Sequence, residues 1–319
     1  MSLLILLFFI LSIIAILLLV LVWIERGHIV LPSTYPALKF LGLKRILKGD
    51  LVHALAYGRW TPQYIKFISV MAPHIGKSGR RWLENTYHGK VLPPKHARSI
   101  ITIEKDIPLQ DLGERVIPYS RARNIVLSAP PDIVITRCGC KTMRNEPCKR
   151  SEPPYLTCML IGKPLTDFQL EHHPKTSRRI TQAEALELLK DFHERGLVHN
   201  AWFKDCIKDQ FYVICNCCPC CCLGIESYRR GIRQITSSGY VAIVEESKCK
   251  GCGTCVSICP FKALSLNSKG RCVVDTDKCK GCNICVSKCP NNARKIVRDL
   301  NKSAPLDVNE LSNILSERS

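Results

Sequence analysis

The run from Cys249 to Pro290 constrains this chain more than any other. It reads Cys249-Lys-Gly-Cys252-Gly-Thr-Cys255-Val-Ser-Ile-Cys259-Pro260, and thirty residues later Cys279-Lys-Gly-Cys282-Asn-Ile-Cys285-Val-Ser-Lys-Cys289-Pro290. Each half is C-x2-C-x2-C-x3-C-P. Gly251 and Gly281 stand where the backbone must come close to whatever the thiols hold, and glycine allows that approach and a positive φ. Pro260 and Pro290 end each loop with a fixed φ. The repeat extends outward: Val241-Ala-Ile-Val244 precedes the first loop as Arg271-Cys-Val-Val274 precedes the second. Two copies of apolar strand plus loop predict a pseudo-twofold, βαβ-like module.

Residues of about Gly239 to Asp299 resemble the bacterial-type 2[4Fe-4S] ferredoxin domain. The resemblance implies two [4Fe-4S] clusters. Three thiolates of one loop take three corners of a cube, and the fourth cysteine ligates the other cluster. One cluster would use Cys249, Cys252, Cys255 and Cys289, the other Cys279, Cys282, Cys285 and Cys259. Paired zinc sites are the alternative, but zinc needs only C-x2-C pairs. Cys272 takes the strand position of Ala242 in the first repeat and is expected to pack rather than ligate.

Twenty cysteines in 319 residues would suit a disulfide-bonded secreted protein. Cluster-type spacing instead requires reduced thiolates and so a reducing compartment. The formal charge of +19 directs the chain toward anionic surfaces or acidic partners. No helix-turn-helix, zinc-finger or RNP-like signature accompanies it, so no nucleic acid is expected as a partner.

Leu3 to Ile24 is almost unbroken apolar sequence, interrupted by Ser12. At ~1.5 Å per residue such a helix just spans a hydrocarbon core of ~30 Å, which predicts a single N-terminal transmembrane helix. Trp23 would sit at the interface, and Glu25 and Arg26 would mark the exit. A cleaved signal peptide fits less well, without a basic n-region or a small-x-small site. Arg26, Lys39, Lys44, Arg45 and Lys48 all follow the run. The positive-inside rule then predicts a single-pass protein of the cell membrane, N-terminus outside and the remainder cytoplasmic.

Residues 25–98 are basic. Thr61-Pro62 reads as an N-cap followed by proline at the first helical position. Tyr64, Ile65, Phe67, Ile68 and Met71 would form one apolar face. The segment fits a membrane-surface collar or a small helical unit packed on the rest. His53, His74, His88 and His96 are isolated in sequence and are not assigned as ligands.

The middle of the chain carries most of the other thiols. Asn124-Ile-Val-Leu-Ser128 reads as a helix end or strand. Asp132-Ile-Val-Ile-Thr136 reads as a strand leading into Arg137-Cys138-Gly-Cys140, with Cys148 and Cys158 beyond. Thr181-Gln-Ala-Glu184 is a capping box; Ala185, Leu188, Leu189 and Phe192 share a helix face, and Gly196 suits a C′ position. Phe211-Tyr-Val-Ile214 reads as a buried strand ending in Cys215-Asn-Cys217-Cys218-Pro-Cys220-Cys221-Cys222. Thiols this close alternate sides, and without a ligand many would be exposed and oxidisable. They predict a further centre built from Cys138, Cys140, Cys148 and Cys158 with some of Cys215, Cys217, Cys218, Cys220, Cys221 and Cys222. A third Fe-S cluster or structural zinc would fill it, the alternative being packing with reversible disulfides. Cys206 reads as a lone buried thiol and His172-His173 as an exposed pair. Residues 99–299 are similar to a group of uncharacterised anaerobe-type 4Fe-4S binding proteins, which implies iron–sulfur binding and no particular substrate.

The expected fold class is α+β: a single transmembrane helix, a cysteine-rich α/β middle domain and a C-terminal ferredoxin-type module. The divisions are a membrane anchor at 1–24, a basic membrane-proximal segment at 25–98, a cysteine-rich domain at 99–235, a dicluster ferredoxin domain at 236–299 and a tail at 300–319. Within the tail, Asp307 to Glu317 would form a helix with Leu311, Ile314 and Leu315 on one face. The function predicted is electron transfer on the cytoplasmic face of a membrane, to or from an acidic redox partner protein. Lys248, Lys250, Lys262, Lys278, Lys280 and Lys288 beside the loops would attract such a partner and raise the cluster potentials. The alternatives are an iron–sulfur oxidoreductase subunit reacting at the middle cysteines, or a metal or redox sensor. No G-x-G-x-x-G, Walker or flavin signature supplies a separate catalytic unit.

Overall fold

The computed structural model describes residues 3–24, 31–108, 126–127 and 129–310. Its first strands are β1 (Tyr87–Leu92), β2 (Ile107–Pro108), β3 (Val126–Leu127), β4 (Ile133–Arg137), β5 (Leu156–Ile161) and β6 (Ser177–Ile180). β7 (Val198–Lys204), β8 (Gln210–Cys217) and β9 (Ile235–Thr236) follow, then β10 (Tyr240–Val244), β11 (Leu264–Leu266), β12 (Cys272–Val274) and β13 (Arg294–Arg298). Seven of them form one sheet in the order β6-β4-β5-β8-β7-β1-β9. Every neighbour in it is antiparallel except the β1–β9 pair. The α+β expectation agrees with this architecture.

β8 lies at the centre because both of its faces are covered. Side chains alternate across a strand, so Val213, Cys215 and Cys217 join one apolar layer while Ile214 and Cys218 join the other. Helices Pro94–Ile101 and Gln182–Glu194 cover the Ile214 face through Ala97, Ile100, Ala185, Leu189 and Phe192. The expected capping holds: Thr181 Oγ1 accepts the Glu184 N–H at 3.1 Å, and Gly196 takes φ 75° just past the helix. The Glu184 carboxylate pairs with Arg178 instead of reaching back to close the box.

Residues 31–98 of the basic segment supply the other cover. Phe40, Ala54 and Tyr57 pack against the Cys215 face, and β1 inserts between β7 and β9. Thr61 begins the helix Thr61–Met71 rather than capping it; its hydroxyl donates to the Tyr57 carbonyl at 2.7 Å, and Trp60 is the capping residue. The His172-His173 pair is not an exposed one. His172 is buried and stacks on Phe168 at 3.8 Å, while His173 Nε2 lies 2.7 Å from the Gly58 carbonyl.

The membrane expectation is overturned. Leu3–Ile24 is a helix, but among the described residues no helix is long and apolar enough to cross a membrane. The single-pass anchor, the cell-membrane location and the N-terminus-out orientation are corrected on this finding. Glu25 and Arg26 lie outside the described residues, as do residues 311–319 of the expected tail helix. The tail up to residue 310 folds back on the sheet: Lys90 Nζ donates to Ser303 Oγ at 2.8 Å and to the Ala304 carbonyl at 2.6 Å. Asp307 pairs with His96 at 3.2 Å.

Trp202 on β7 sets the position of the helix Leu223–Arg229. Its ring stacks on Tyr87 at 4.3 Å, and a Cβ on Gly224 would lie 2.3 Å from its Cη2. Only glycine lets that helix approach so closely. Gly224→Ala should therefore lower the unfolding free energy by about 1–3 kcal/mol, the usual cost of overpacking, read as an earlier midpoint in chemical denaturation of the full chain.

Candidate metal centres

The C-terminal module folds as the repeat predicts. β10 pairs with β13 and β11 with β12, both antiparallel. Gly251 and Gly281 have φ of 67° and 64°. A Cβ on them would meet the Gly270 carbonyl at 2.0 Å and the Tyr240 carbonyl at 2.3 Å. The close approach is thus to the module's own backbone. The pseudo-symmetry extends to the sulfurs: Cys259 Sγ accepts the Ala263 N–H and Cys289 Sγ the Ala293 N–H, each at 3.3 Å. Each strand serves the opposite loop. Ala242 on β10 donates to Cys279 Sγ at 3.4 Å. The N–H of Cys272 on β12, with that of Gly251, holds the Cys249 thiol below its ordinary value.

The thiols group across the two loops. Cys282, pushed well up by burial, has Cys285, Cys259 and Cys279 as its sulfur neighbours, and these four line a cavity of about 20 Å³. Cys289 packs with Cys249 and Cys255, while Cys252 is exposed at the surface. Among the described residues, none of these eight belongs to a set of three or more ligand atoms all within 4.8 Å of one another. A single tetrahedral ion, with Zn–S of ~2.3 Å, needs such convergence; thiolates spread around a larger core do not.

Two residues depart from simple symmetry. Cys272 Sγ lies 3.5 Å from Cys255 Sγ, so the residue expected to pack does so among the thiols. Arg294 stands where the first repeat has Leu264. It is buried, and it donates to Cys272 Sγ at 2.6 Å and to Cys285 Sγ at 3.6 Å. Sequence reasoning passed over it, although an arginine at an apolar repeat position was a readable signal. Of the loop lysines, Lys248 and Lys278 are paired with Glu245 at 2.6 Å and Asp275 at 2.7 Å. Lys280 lies 4.5 Å over the Tyr228 ring, and burial lowers it to about 8. Lys250, Lys262 and Lys288 are exposed.

The ten middle cysteines come together, but as two sets on opposite faces of the sheet. Cys148, Cys218, Cys220 and Cys221 have their sulfurs all within 4.8 Å of one another. Cys220 and Cys221 are 3.9 Å apart, and the Cys148 N–H reaches Cys221 Sγ at 3.4 Å. The Cys218 hydrogen bond pulls Cys221 down to about 5 and raises Cys218 in turn. The buried Lys141, donating to the Cys148 carbonyl at 3.3 Å, supplies a positive charge beside them. Four convergent thiols, with Cys221 drawn down toward its thiolate, are the donor set of a tetrahedral soft-metal site.

The other six lie on the Cys215 face. Cys138, Cys140, Cys158, Cys215, Cys217 and Cys222 ring one cavity, and Cys215 Sγ lies 3.3 Å from Cys158 Sγ. Elsewhere His53, Asp205 and Cys206 converge within 4.8 Å. Asp205 Oδ1 in that set is already taken by Lys204 and by the Cys206 N–H at 2.8 Å.

Residues 242–296 match the family model of a 4Fe-4S dicluster domain. No curated protein matches the chain. The C-terminal segment is a 4Fe-4S ferredoxin-type domain. With the cysteine-rich region beside it, the chain fits an iron–sulfur protein.

Two measurements probe these geometries. Arg294→Gln removes a cation from beside the cluster thiols and should shift one voltammetric wave to lower potential; an unshifted wave would remove Arg294 from the site. Cys220→Ser should cut retention of a thiolate-bound metal by at least about tenfold in chelator competition, while Cys206→Ser leaves it unchanged.

Proposed function

We propose that this chain is an electron-transfer protein with two [4Fe-4S] clusters and a further cysteine-ligated metal centre. One cluster is held by Cys249, Cys252, Cys255 and Cys289, the other by Cys279, Cys282, Cys285 and Cys259. The further centre is held by Cys148, Cys218, Cys220 and Cys221. The observation that carries the reading is the grouping of Cys259 with Cys279, Cys282 and Cys285 across the two loops, which is the sharing two-cluster ferredoxins require. The clusters supply one-electron redox capacity; the polypeptide sets their surroundings and their access.

Access is asymmetric. The Cys252 loop faces solvent beside Lys250. The Cys282 loop packs into the middle domain, where Cys282, Ile284 and Phe261 share one apolar layer with Cys217 and Cys222. Arg229 fastens that contact by donating to the Pro260 carbonyl at 2.9 and 2.6 Å. The exposed end, with Lys250, Lys262 and Lys288, suits an acidic redox partner. The buried end connects the module to the cysteine-rich domain. The 4Fe-4S dicluster match over residues 242–296 supports the same reading.

A second reading is an oxidoreductase that reacts at the middle cysteines. It is favoured by a cavity of about 150 Å³ against them, into which Tyr57, Tyr87 and Tyr212 face. The hydroxyls of Tyr57 and Tyr212 are hydrogen-bonded to each other. Burial raises all three phenols well above their ordinary value, which keeps them protonated as donors.

Anaerobically purified protein should contain about eight irons attributable to the C-terminal module. Cys252→Ser and Cys282→Ser should each disturb one cluster and leave the other's spectrum in place. Two zinc ions and no acid-labile sulfide in that module would exclude the proposal. Reduction by an acidic ferredoxin should slow steeply as salt rises from about 0.05 to 0.5 M, as screening between complementary charges requires. A salt-independent rate would remove the lysine face from the account.

A further inference from the structure

We propose that the six-thiol ring Cys138, Cys140, Cys222, Cys217, Cys215 and Cys158 is the socket of a separate, polynuclear metal–sulfur cluster. It is distinct from the four-thiol centre and stands independently of it. The first ground is topology. Strand alternation sends Cys215 and Cys217 to one face of β8, and Cys158 on β5 lies directly opposite Cys215. Cys138 and Cys140 follow the end of β4, next to β5. Cys222 arrives at the head of the helix Leu223–Arg229, which the Gly224–Trp202 contact presses onto the sheet. Four separate parts of the chain thus deliver thiols to one cavity.

The second ground is size. A single soft ion takes four thiolates that converge. Among the described residues, no three of these six have sulfurs all within 4.8 Å of one another, although all six line one cavity. Donors spaced around a circuit face a core of several metal ions bridged by sulfide, the arrangement that lets thiolates stand apart.

The third ground is the space and its charge. All six line the cavity of about 150 Å³. Most of the rest of its lining is apolar, so the six thiols share one space in an otherwise largely apolar pocket. Among the described residues lining it there is no Asp or Glu, and Arg137 is the only charged side chain. A thiolate-rich core is anionic, and these are the surroundings that would receive it. Three disulfides are the competing fate of six adjacent thiols.

The test uses the full chain purified without oxygen. Native protein is treated with iodoacetamide before and after a chelator, and modified cysteines are mapped by mass spectrometry. The six ring thiols should be protected before the chelator and alkylated after it. Cys158→Ser and Cys215→Ser should each lose several irons (about two or more) with matching sulfide, while the Cys148→Ser/Cys220→Ser double variant keeps them. The ferredoxin signals should persist in all of these, which separates failure here from failure of the two-cluster reading. Ring thiols that alkylate freely in the native protein, ring thiols found as three disulfides, or loss of a single metal ion on ring substitution would each overturn the proposal. The wild-type mapping decides the matter even where a variant fails to fold.

Discussion

The organisation of the middle domain depends on one constraint, the two-residue period of the central strand β8. Cys215 and Cys217 lie on one face and Cys218 turns to the other. Cys217 and Cys218, although consecutive, therefore go to different sites. The turn after the strand extends the division, returning Cys221 to the Cys218 side and Cys222 to the Cys217 side. A segment that reads as one dense cysteine run supplies two separate donor sets about one sheet thickness apart.

The same strand end ties the two halves of the molecule together. Cys222 begins the helix whose Gly224 sits against Trp202. Farther along, Tyr228 of that helix meets Phe261 edge-on at 5.6 Å, and Arg229 holds the Pro260 carbonyl. Pro260 and Phe261 directly follow Cys259, a predicted ligand of the second cluster. A displacement of this helix would be felt by the six-thiol ring and by the ferredoxin module alike. Its close packing is the mechanical link between them.

Charge complements the thiols throughout. Lys141 and Arg144 lie at the four-thiol set, with Arg144 donating to the Cys221 carbonyl at 3.2 Å. Arg294 is buried among the ferredoxin thiols. Buried cations are unfavourable unless compensated: Arg144 is paired with Glu226, Lys141 donates to the Cys148 carbonyl and Arg294 donates to Cys272 Sγ. Part of the +19 formal charge is thus internal to the metal-binding regions and not a surface property, which composition alone does not distinguish. The loop lysines divide in the same way, since Lys248 and Lys278 are neutralised by neighbours of like spacing in each repeat.

The sequence by itself determined the C-terminal module, because ligand spacing, glycines and flanking strands are local and occur twice. The capped helix Gln182–Glu194 and the buried strand β8 were legible for the same reason: their signals lie within one element. Apolar length over Leu3–Ile24 was also local, yet it did not establish a membrane span, since no described helix is long and apolar enough to cross one. Only the tertiary structure decided how ten middle cysteines divide, because Cys138, Cys148 and Cys158 come from distant strands and loops and no spacing rule relates them to residues 215–222. It also decided that Arg294 lies among thiols and that residues 31–98 cover the sheet with β1 inserted in it. The physical reason is common to all three. Ligand loops and helix caps are short-range interactions, whereas the choice of face and partner is made by strand register and by the packing of side chains far apart in the chain.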